Sequence, residues 1–412
     1  MKIIILQDIA YRFPENELAQ YHGAIWAEEL ISRGHAATKM VIGDPATTRP
    51  RSPLLSVSTI KQRKDPAFWA AQKADIILYY VPTNYLGCDI LKAIKQGSPR
   101  TMLVARIEGS RGPQIPSFSS FLNSFLGFYI RHRHCHVERH DHATLSPPAA
   151  CAYAAASTIH RYVHSNESVY CGIAHWADFI THSTDLAVLE ETSFLRHFGQ
   201  ENCISKIVKM GYPIRSGFPS GLQGKTPFSM ISIANWKPVK DPELTAKAVA
   251  SVLRDNPDAT YTVIGKNSDD VTSVLQKLVP MAMNRVTTMD QISNKEIVRY
   301  LSSAQVFVCT SWTEGYCSAC VEALCCGCSM ALTSGHNLIC FKDFVANGCG
   351  TQARTRRVSD MAAAIHHELD VWAKNPSRGI QISDCWKTSL APVLCDQLLD
   401  LHSLHCNCKV YV

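Results

Sequence analysis

The chain has 412 residues, of which 46% are hydrophobic and 18% charged. This length is too great for one hydrophobic core and suits two domains of about 200 residues each. The composition excludes a disordered chain, and no apolar run reaches the roughly 18 residues that span a bilayer. The formal net charge of +6 is modest and spread along the chain, which is compatible with an anionic ligand or a membrane surface. We expect no nucleic-acid partner.

The cysteine content indicates the compartment. There are seventeen cysteines, an odd number, and many lie within apolar runs, whereas disulfide scaffolds are usually much shorter chains. The opening "MKIIILQD" meets an aspartate too early for a signal peptide and predicts a buried strand. We therefore expect a protein of the reducing cytoplasm.

The first half alternates apolar runs with amphipathic stretches. In chain order these are "KIIIL", "LAQYHGAIWAEELISRGH", "ADIILYYV", "ILKAIKQG" and "RTMLVARIEG". Strand and helix in this rhythm predict a parallel sheet with helices on both faces, which is an α/β fold.

The same rhythm restarts after a break. Residues 212–227, "YPIRSGFPSGLQGKTP", are rich in glycine and proline and predict a linker. Beyond them come "FSMISIAN", "PELTAKAVASVLRDNP", "ATYTVIG", "QVFVCTS" and "CVEALCCG". We predict two Rossmann-like, doubly wound domains, 1–215 and 216–385, that face a cleft, followed by a C-terminal helix in 386–412 that packs back on the first domain.

An unusual basic stretch, "FLGFYIRHRHCHVERHDH", covers residues 125–142. Its candidate metal ligands are Cys135 and five histidines, His132, His134, His136, His140 and His142. The spacing brings only part of this set onto one face of a strand or a helix. A solvated or membrane-facing stretch is the favoured interpretation, and a contact with an amphiphilic acceptor is the third.

The segment "TEGYCSACVEALCCGC", residues 313–328, combines two carboxylates with a predicted helix start. It follows the strand "QVFVCTS", and Gly327 is the expected helix stop. Glu314 would lie in the loop at the carboxyl edge of the sheet, and Glu322 about one turn inside the helix.

Free amides at that helix start favour a phosphate. They belong to Gly315, Tyr316, Cys317 and Ser318. Carboxylates do not bind phosphate, but they accept paired hydrogen bonds from sugar hydroxyls. Phosphate at the amides with one diol at each glutamate is a nucleotide-sugar arrangement.

The cysteines of this segment form two C-x-x-C pairs, Cys317 with Cys320 and Cys325 with Cys328. Structural zinc sites usually separate such pairs by a dozen or more residues, and here only four intervene. We interpret these cysteines as small packing residues and predict no metal ligand.

Several blocks of the chain resemble those of a known family. Glu314 and Glu322, with seven residues between them and "ALCCGCSMALTSG" after them, are similar to the "E-G-F-G-x-x-x-x-E-A-x-A-x-G-x-P-V-V-A-T" block of retaining glycosyltransferases with the GT-B fold, the family-4-type group. The blocks "EELISRGHAATKM", "ADFITHSTD", "KMGYPIR", "ISIANWKPVKDPELTAKAV", "DATYTVIGKN" and "ISDCWKTSLAPVLCDQLLDL" resemble further family motifs in the family's order.

This resemblance implies a function. The enzyme would move a hexose-type sugar from a nucleoside diphosphate sugar, UDP or GDP, to an acceptor hydroxyl with retention of configuration and without a divalent metal or other cofactor. Glu314 would meet the donor sugar, Glu322 would hold the ribose diol, and Lys240 would neutralise the leaving diphosphate. The acceptor would be a carbohydrate, a lipid-linked molecule or a small molecule, with peripheral membrane contact as an option.

The chain departs from the family pattern at three places. Asn235 stands where the family has an arginine, with Lys237 as the nearby cation. Glu108, flanked by Arg106 and Arg111, stands where the family has a histidine, so these residues are candidates for the acceptor or sugar side. The glycine-rich first loop retains only Gly23.

Two other functions stay open from the sequence. Asn235 and the missing histidine are compatible with a catalytically silent GT-B protein that binds a nucleotide sugar or a protein partner. The third reading keeps the fold and makes the protein a nucleotide-sugar epimerase or hydrolase, which needs no acceptor.

Overall fold

The computed structural model describes residues 1–10, 22–46, 48, 50, 52–108, 112–134, 145–164, 167–218, 224–335 and 338–408. The chain forms two compact units. The first unit comprises Met1–Ser120, Ile159–Arg215 and Ser389–Val412, and the second comprises Phe121–Thr158 and Ser216–Thr388. The segment 121–158, which the sequence analysis assigned to the first domain, therefore groups with the second unit.

Both units are built from parallel strands and helices. The strands are β1 (Lys2–Ala10), β2 (Ala36–Ile42), β3 (Leu55–Ser58), β4 (Ile76–Tyr80), β5 (Met102–Arg106), β6 (Phe179–His182), β7 (Ile207–Lys209), β8 (Ser229–Ile233), β9 (Thr260–Ile264), β10 (Val286–Met289), β11 (Val306–Cys309), β12 (Ser329–Leu332) and β13 (Gly350–Gln352).

The helices are α1 (His22–Ser32), α2 (Ile60–Arg63), α3 (Pro66–Gln72), α4 (Tyr85–Gly97), α5 (Phe118–His134), α6 (Pro147–His164), α7 (Glu167–Trp176), α8 (Asp185–His197), α9 (Pro242–Asp255), α10 (Asp269–Leu278), α11 (Asn294–Ser303), α12 (Ser318–Cys325), α13 (Cys340–Val345), α14 (Val358–Lys374), α15 (Arg378–Trp386) and α16 (Ala391–Cys408).

Each unit holds one parallel sheet of the doubly wound type. The order is β3-β2-β1-β4-β5-β6-β7 in the first unit and β10-β9-β8-β11-β12-β13 in the second. Both contain the Rossmann order 3-2-1-4-5-6. In this order successive strands are added first on one side of strand 1 and then, from strand 4, on its other side, so the strand order reverses between strands 1 and 4. The predicted fold class, two Rossmann-like domains, is confirmed.

The apolar runs form strands because both faces of each sheet are covered. In the first unit, Ile4 and Leu6 belong to one buried cluster, while Ile3 and Ile5 belong to the cluster on the opposite face. Successive strand residues point to opposite faces, so an uninterrupted apolar run buries every side chain.

The C-terminal helix α16 belongs to the core of the first unit. Leu394 and Leu398 lie in the same buried cluster as Ile3 and Trp26. Arg33, directly after α1, also donates to the Pro392 carbonyl at 2.7 Å. These contacts explain why residues 389–408 group with the first unit although they follow the second in sequence.

None of the helices in the described residues combines the length and apolar character that crossing a bilayer requires.

A close approach of two strand ends explains one glycine. Gly265 follows β9 with φ of +119°, and a Cβ there would lie 1.9 Å from the carbonyl oxygen of Ala234, which follows β8. Any side chain would therefore displace backbone at the carboxyl edge of the second sheet.

We predict that Gly265→Ala destabilises the second unit by about 3 kcal/mol, because strained backbone and overlap add. Its calorimetric transition should fall by about 6–12 °C, given about 2–4 °C per kcal/mol at this size. Gly224→Ala is the matched control, since Gly224 has φ of +86° but open space around its Cβ position. Equal losses in both variants would contradict the overlap.

Candidate active site

The second sheet brings two predicted loops side by side. Strand β8 pairs with β11 in parallel, and the order reverses between them, which is the place where doubly wound sheets bind ligands. The loop after β8 spans 234–241 and the loop after β11 spans 310–317. We call them the lysine loop and the glutamate loop after Lys240 and Glu314.

Backbone and hydroxyl hydrogen bonds join the two loops. The amide of Trp312 donates to the carbonyl of Val239 at 2.8 Å. The hydroxyl of Thr310 donates to the carbonyl of Lys240 at 2.9 Å and lies 2.5 Å from the hydroxyl of Thr245. These bonds fix the separation of the loops before any ligand binds.

Lys240 and Glu314 form an ion pair across this junction. The Lys240 Nζ donates to Glu314 Oε1 at 2.5 Å, and the side chains are 25% and 11% exposed. A pair that is this close and only partly solvated interacts far more strongly than an exposed pair. The structure thus brings together the two residues that the sequence analysis assigned to catalysis.

The surroundings shift both pKa values upward. Burial raises the pKa of Glu314, and Lys240 opposes this shift. Burial lowers the pKa of Lys240, but Cys317 and Glu314 raise it by more, so that its pKa lies above the ordinary value. Lys240 is therefore a cation at neutral pH, which is the state that stabilises a phosphate.

Arg356 holds the same junction from a third loop, the one after β13. Its Nη1 donates to the carbonyl of Ser311 at 2.9 Å, and its Nη2 donates to the carbonyl of Thr310 at 2.7 Å and to the carboxylate of Asp241 at 2.6 Å. The guanidinium also lies 3.7 Å from the ring centroid of Trp312. No sequence motif had indicated Arg356 as a site residue.

Asp241 gives the lysine loop its turn. It has φ of +52°, and its carboxylate caps α9 by accepting from the amide of Leu244 at 3.1 Å. The left-handed conformation costs about 1–2 kcal/mol for a residue with a Cβ. The bonds to Leu244 and Arg356 offset that cost and keep Lys240 directed at the glutamate loop.

The predicted phosphate site at the start of α12 consists of residues 315–318 and is open to solvent at Gly315. Gly315 is exposed, and a Cβ there would meet nothing within 4 Å. Tyr316 packs edge-on against Phe344 at 5.3 Å. Cys317 is the buried N-cap and contributes no side-chain capping bond, and Ser318 is the first helical residue.

The remaining donor-side candidates lie around this opening. Glu322 lies within α12 and is half-buried, as expected for a residue one turn inside the helix. Asn235 and Lys237 are both exposed in the lysine loop, where the amide of Lys237 donates to the carbonyl of Asn235. Their assigned roles in donor binding stay predictions.

The acceptor-side candidates of the first unit are not equivalent. Gly23 is buried at the start of α1, where a Cβ would lie 2.9 Å from Gln7 Oε1, so close packing on β1 explains this glycine. Glu108 is exposed after β5. Arg111 lies outside the described residues.

Arg106 is fully buried at the end of β5. It donates to the carbonyls of Met210 and Gly211 and to the hydroxyl of Ser183. A direct contact with an acceptor would require the guanidinium to leave these bonds, so the structure gives Arg106 a role inside the first unit.

The histidine-rich stretch is described only in part. The ring of His132 is 3.1 Å from the hydroxyl of Ser157 and lies against Phe128 and Tyr153. Residues 135–142, with Cys135 and the last three histidines, lie outside the described residues, as does the His134 side chain. Among described residues, the group that could hold a metal is Cys309, Cys317 and Cys320.

Comparisons with known proteins agree with this geometry. The family model of glycosyl transferases, group 1, matches residues 218–366, which contain both loops and α12. No curated protein sequence matches the chain.

Similar solved structures share the fold across nearly the whole chain. A glycosyltransferase from Rickettsia africae is 10% identical with a TM-score of 0.59, and covers 98% of both chains. A trehalose 6-phosphate synthase from Burkholderia multivorans is 10% identical with a TM-score of 0.59, covering 98% of this chain and 99% of its own. HepE from Anabaena, solved with UDP and glucose, is 13% identical with a TM-score of 0.50 over all of both chains.

We predict that Arg356→Ala lowers the free energy of unfolding of the second unit by about 2–4 kcal/mol, because it leaves the partly buried Asp241 carboxylate without its cation. Urea denaturation followed by tryptophan fluorescence measures the change. Arg357→Ala is the control, since Arg357 is exposed and such changes stay within about 0.5 kcal/mol. Equal stability of both variants would contradict the positioning role of Arg356.

Proposed function

We propose that this glycosyltransferase, whose residues 218–366 form a glycosyl transferases group 1 domain, moves a hexose unit from a UDP-sugar to an acceptor hydroxyl with retention of configuration and without a divalent metal. The observation that carries the proposal is the Lys240–Glu314 pair, 2.5 Å apart between the two loops at the reversal of the second sheet. The cation suits the diphosphate of a nucleotide sugar, and the carboxylate suits the hydroxyls of its sugar.

The choice of base rests on structural relatives. HepE was solved with UDP and with UDP and glucose, and a pneumococcal O-GlcNAc transferase was solved with UDP and GlcNAc. Because these proteins share only the fold with this chain, binding should be measured with both UDP and GDP.

Lys240 would stabilise the departing diphosphate. The leaving group gains negative charge as the sugar bond breaks, and a fixed cation in a partly water-excluded site stabilises that charge. In the donor-free protein Lys240 is paired with Glu314. Binding of the diphosphate would draw the ammonium toward phosphate and so release the Glu314 carboxylate.

The released Glu314 would then accept hydrogen bonds from hydroxyls of the donor sugar. In this account the carboxylate orients the sugar and forms no covalent bond with it. The acceptor attacks on the face that the diphosphate leaves, and the diphosphate takes the acceptor proton. Glu322 would hold the ribose diol. Lys240 and the α12 amides would stabilise the negative charge of the diphosphate in place of a divalent metal.

We also propose a cytoplasmic protein with a peripheral membrane contact through α5. Phe118, Leu122 and Leu126 are 82%, 43% and 38% exposed, and their spacing of four places them on one helix face. Arg131 and Arg133 follow in the last turn. An apolar face next to cations suits an anionic lipid surface, which would present a lipid-linked acceptor.

Two substitutions separate the roles of the ion pair. Lys240→Ala should lower kcat by about 100–1,000-fold and also weaken UDP binding, because it removes the cation in both states. Glu314→Gln should lower kcat by about 100-fold yet leave UDP binding equal or tighter, because it frees Lys240 from its partner. Transfer kinetics and calorimetric titration with UDP and GDP measure both quantities.

The controls are Lys247→Ala and Glu243→Gln, which alter an exposed pair on the neighbouring helix α9. Both should keep wild-type turnover. Unchanged turnover in Glu314→Gln would contradict the role of Glu314 at the donor sugar. Incubation of the protein with a UDP-sugar but no acceptor, followed by product analysis, would detect an epimerase or a hydrolase.

The membrane contact predicts a loss of vesicle binding. The double variant Phe118→Ser, Leu122→Ser should bind anionic vesicles at least about tenfold more weakly, since two large apolar side chains no longer insert. Transfer to a water-soluble acceptor should not change. Met281→Ser is the control, because Met281 is 93% exposed elsewhere on the surface. Equal flotation of all three proteins would contradict the contact.

A further inference from the structure

Three cysteine thiols converge beneath the glutamate loop. Cys309 ends β11, Cys317 caps α12 and Cys320 lies in the first turn of that helix. Their Sγ atoms all lie within 4.8 Å of one another, and the three side chains are 9%, 7% and 0% exposed. The transfer chemistry proposed above uses none of these thiols.

This convergence is not a general property of the cysteines in the second unit. The thiol of Cys325 lies 3.6 Å from the carbonyl of Trp386, and that of Cys328 donates to the carbonyl of Leu301 at 3.0 Å. Cys326 donates to the carbonyl of Phe218 at 2.5 Å. These thiols serve separate backbone acceptors, whereas the other three face each other.

The spacing suits a bound ion. With metal–sulfur bonds of about 2.3 Å, three sulfurs around one ion lie about 3.8–4.0 Å apart. The observed limit of 4.8 Å exceeds this separation by less than about 1 Å.

We propose that Cys309, Cys317 and Cys320 form a binding site for one soft, thiolate-preferring metal ion of the zinc and cadmium type. On binding, each thiol that still carries a proton releases it to solvent, and one metal–sulfur bond forms at each sulfur. No electron is transferred. With a divalent ion the complex carries one net negative charge.

The site would act on the glutamate loop. Cys309 and Cys317 lie at its two ends, so one ion ligated by both closes the loop into a ring with Glu314 inside it. Closure of this kind restricts the loop and stabilises the unit that contains it. The ion would be a clamp on the active-site loop and would not take part in sugar transfer, so the site does not depend on the proposed function.

Cadmium titration tests the site directly. The starting protein has serine at the exposed cysteines Cys151, Cys385 and Cys406, which removes their adventitious binding. It is kept reduced by a phosphine without thiol groups and titrated with Cd²⁺ under nitrogen. The readouts are the ultraviolet sulfur-to-cadmium charge-transfer band, proton release, the ¹¹³Cd NMR shift and the thermal transition.

We expect one tightly bound ion per chain, a ¹¹³Cd shift typical of three sulfur ligands and a higher thermal transition. In the same background, Cys309→Ser should weaken binding at least about 10–100-fold, because even loss of an outer partner of a ligand costs that much. Cys325→Ser is the control, since Cys325 is also buried in α12, and it should bind as the starting protein does.

Three results would overturn the proposal. They are no uptake of Cd²⁺ by the starting protein, a ¹¹³Cd shift that indicates fewer than three sulfurs, and equal binding by Cys309→Ser and Cys325→Ser. The first two are measured on the starting protein with the three cysteines intact. The proposal can therefore be contradicted even if Cys309→Ser fails to fold. None depends on transferase activity, so failure here leaves the proposed reaction untouched.

Discussion

The ion pair between Lys240 and Glu314 is the interaction on which the candidate active site depends. It exists because β8 and β11 are neighbours in the sheet although about 70 residues separate the two side chains. The reversal of strand order at this place leaves room for a ligand beyond the strand ends. Two opposite charges therefore meet where a nucleotide would bind, and each favours the charged form of the other.

The surrounding residues make this pair rigid before binding. The left-handed Asp241 turns the chain after Lys240, and Arg356 holds both Asp241 and the backbone of the glutamate loop. A preorganised cation stabilises developing charge better than one that must be ordered during the reaction. The left-handed Asp241 therefore lies at the proposed donor site, and backbone strain is often found at functional sites.

Much of this arrangement could be predicted from the sequence. Uninterrupted apolar runs predicted strands buried on both faces, and the strand, turn and helix pattern of residues 305–328 placed Glu314 in a loop and Glu322 in a helix. Lys240 followed from the resemblance to a family. Arg356 could not be found in this way, because its contacts arise from the lateral order of β11, β12 and β13, and no local pattern reports that order.

Arg106 and the cysteines also show that a local sequence pattern does not reveal contacts between residues that are distant in the chain. Arg106 ends the strand β5 and was a sequence candidate for the acceptor or sugar side, yet the fold buries it against carbonyls that come about 100 residues later. The spacing of the C-x-x-C pairs argued against a site made of Cys317, Cys320, Cys325 and Cys328. It could not reveal that Cys309, from the preceding strand, joins only the first pair.

The most direct test of the account is a crystal structure of the protein with UDP bound. The account predicts the diphosphate between the lysine and glutamate loops, with Lys240 Nζ about 2.7–2.9 Å from a phosphate oxygen and no longer bonded to Glu314. UDP bound elsewhere, or bound there with the Lys240–Glu314 pair still closed, would contradict it.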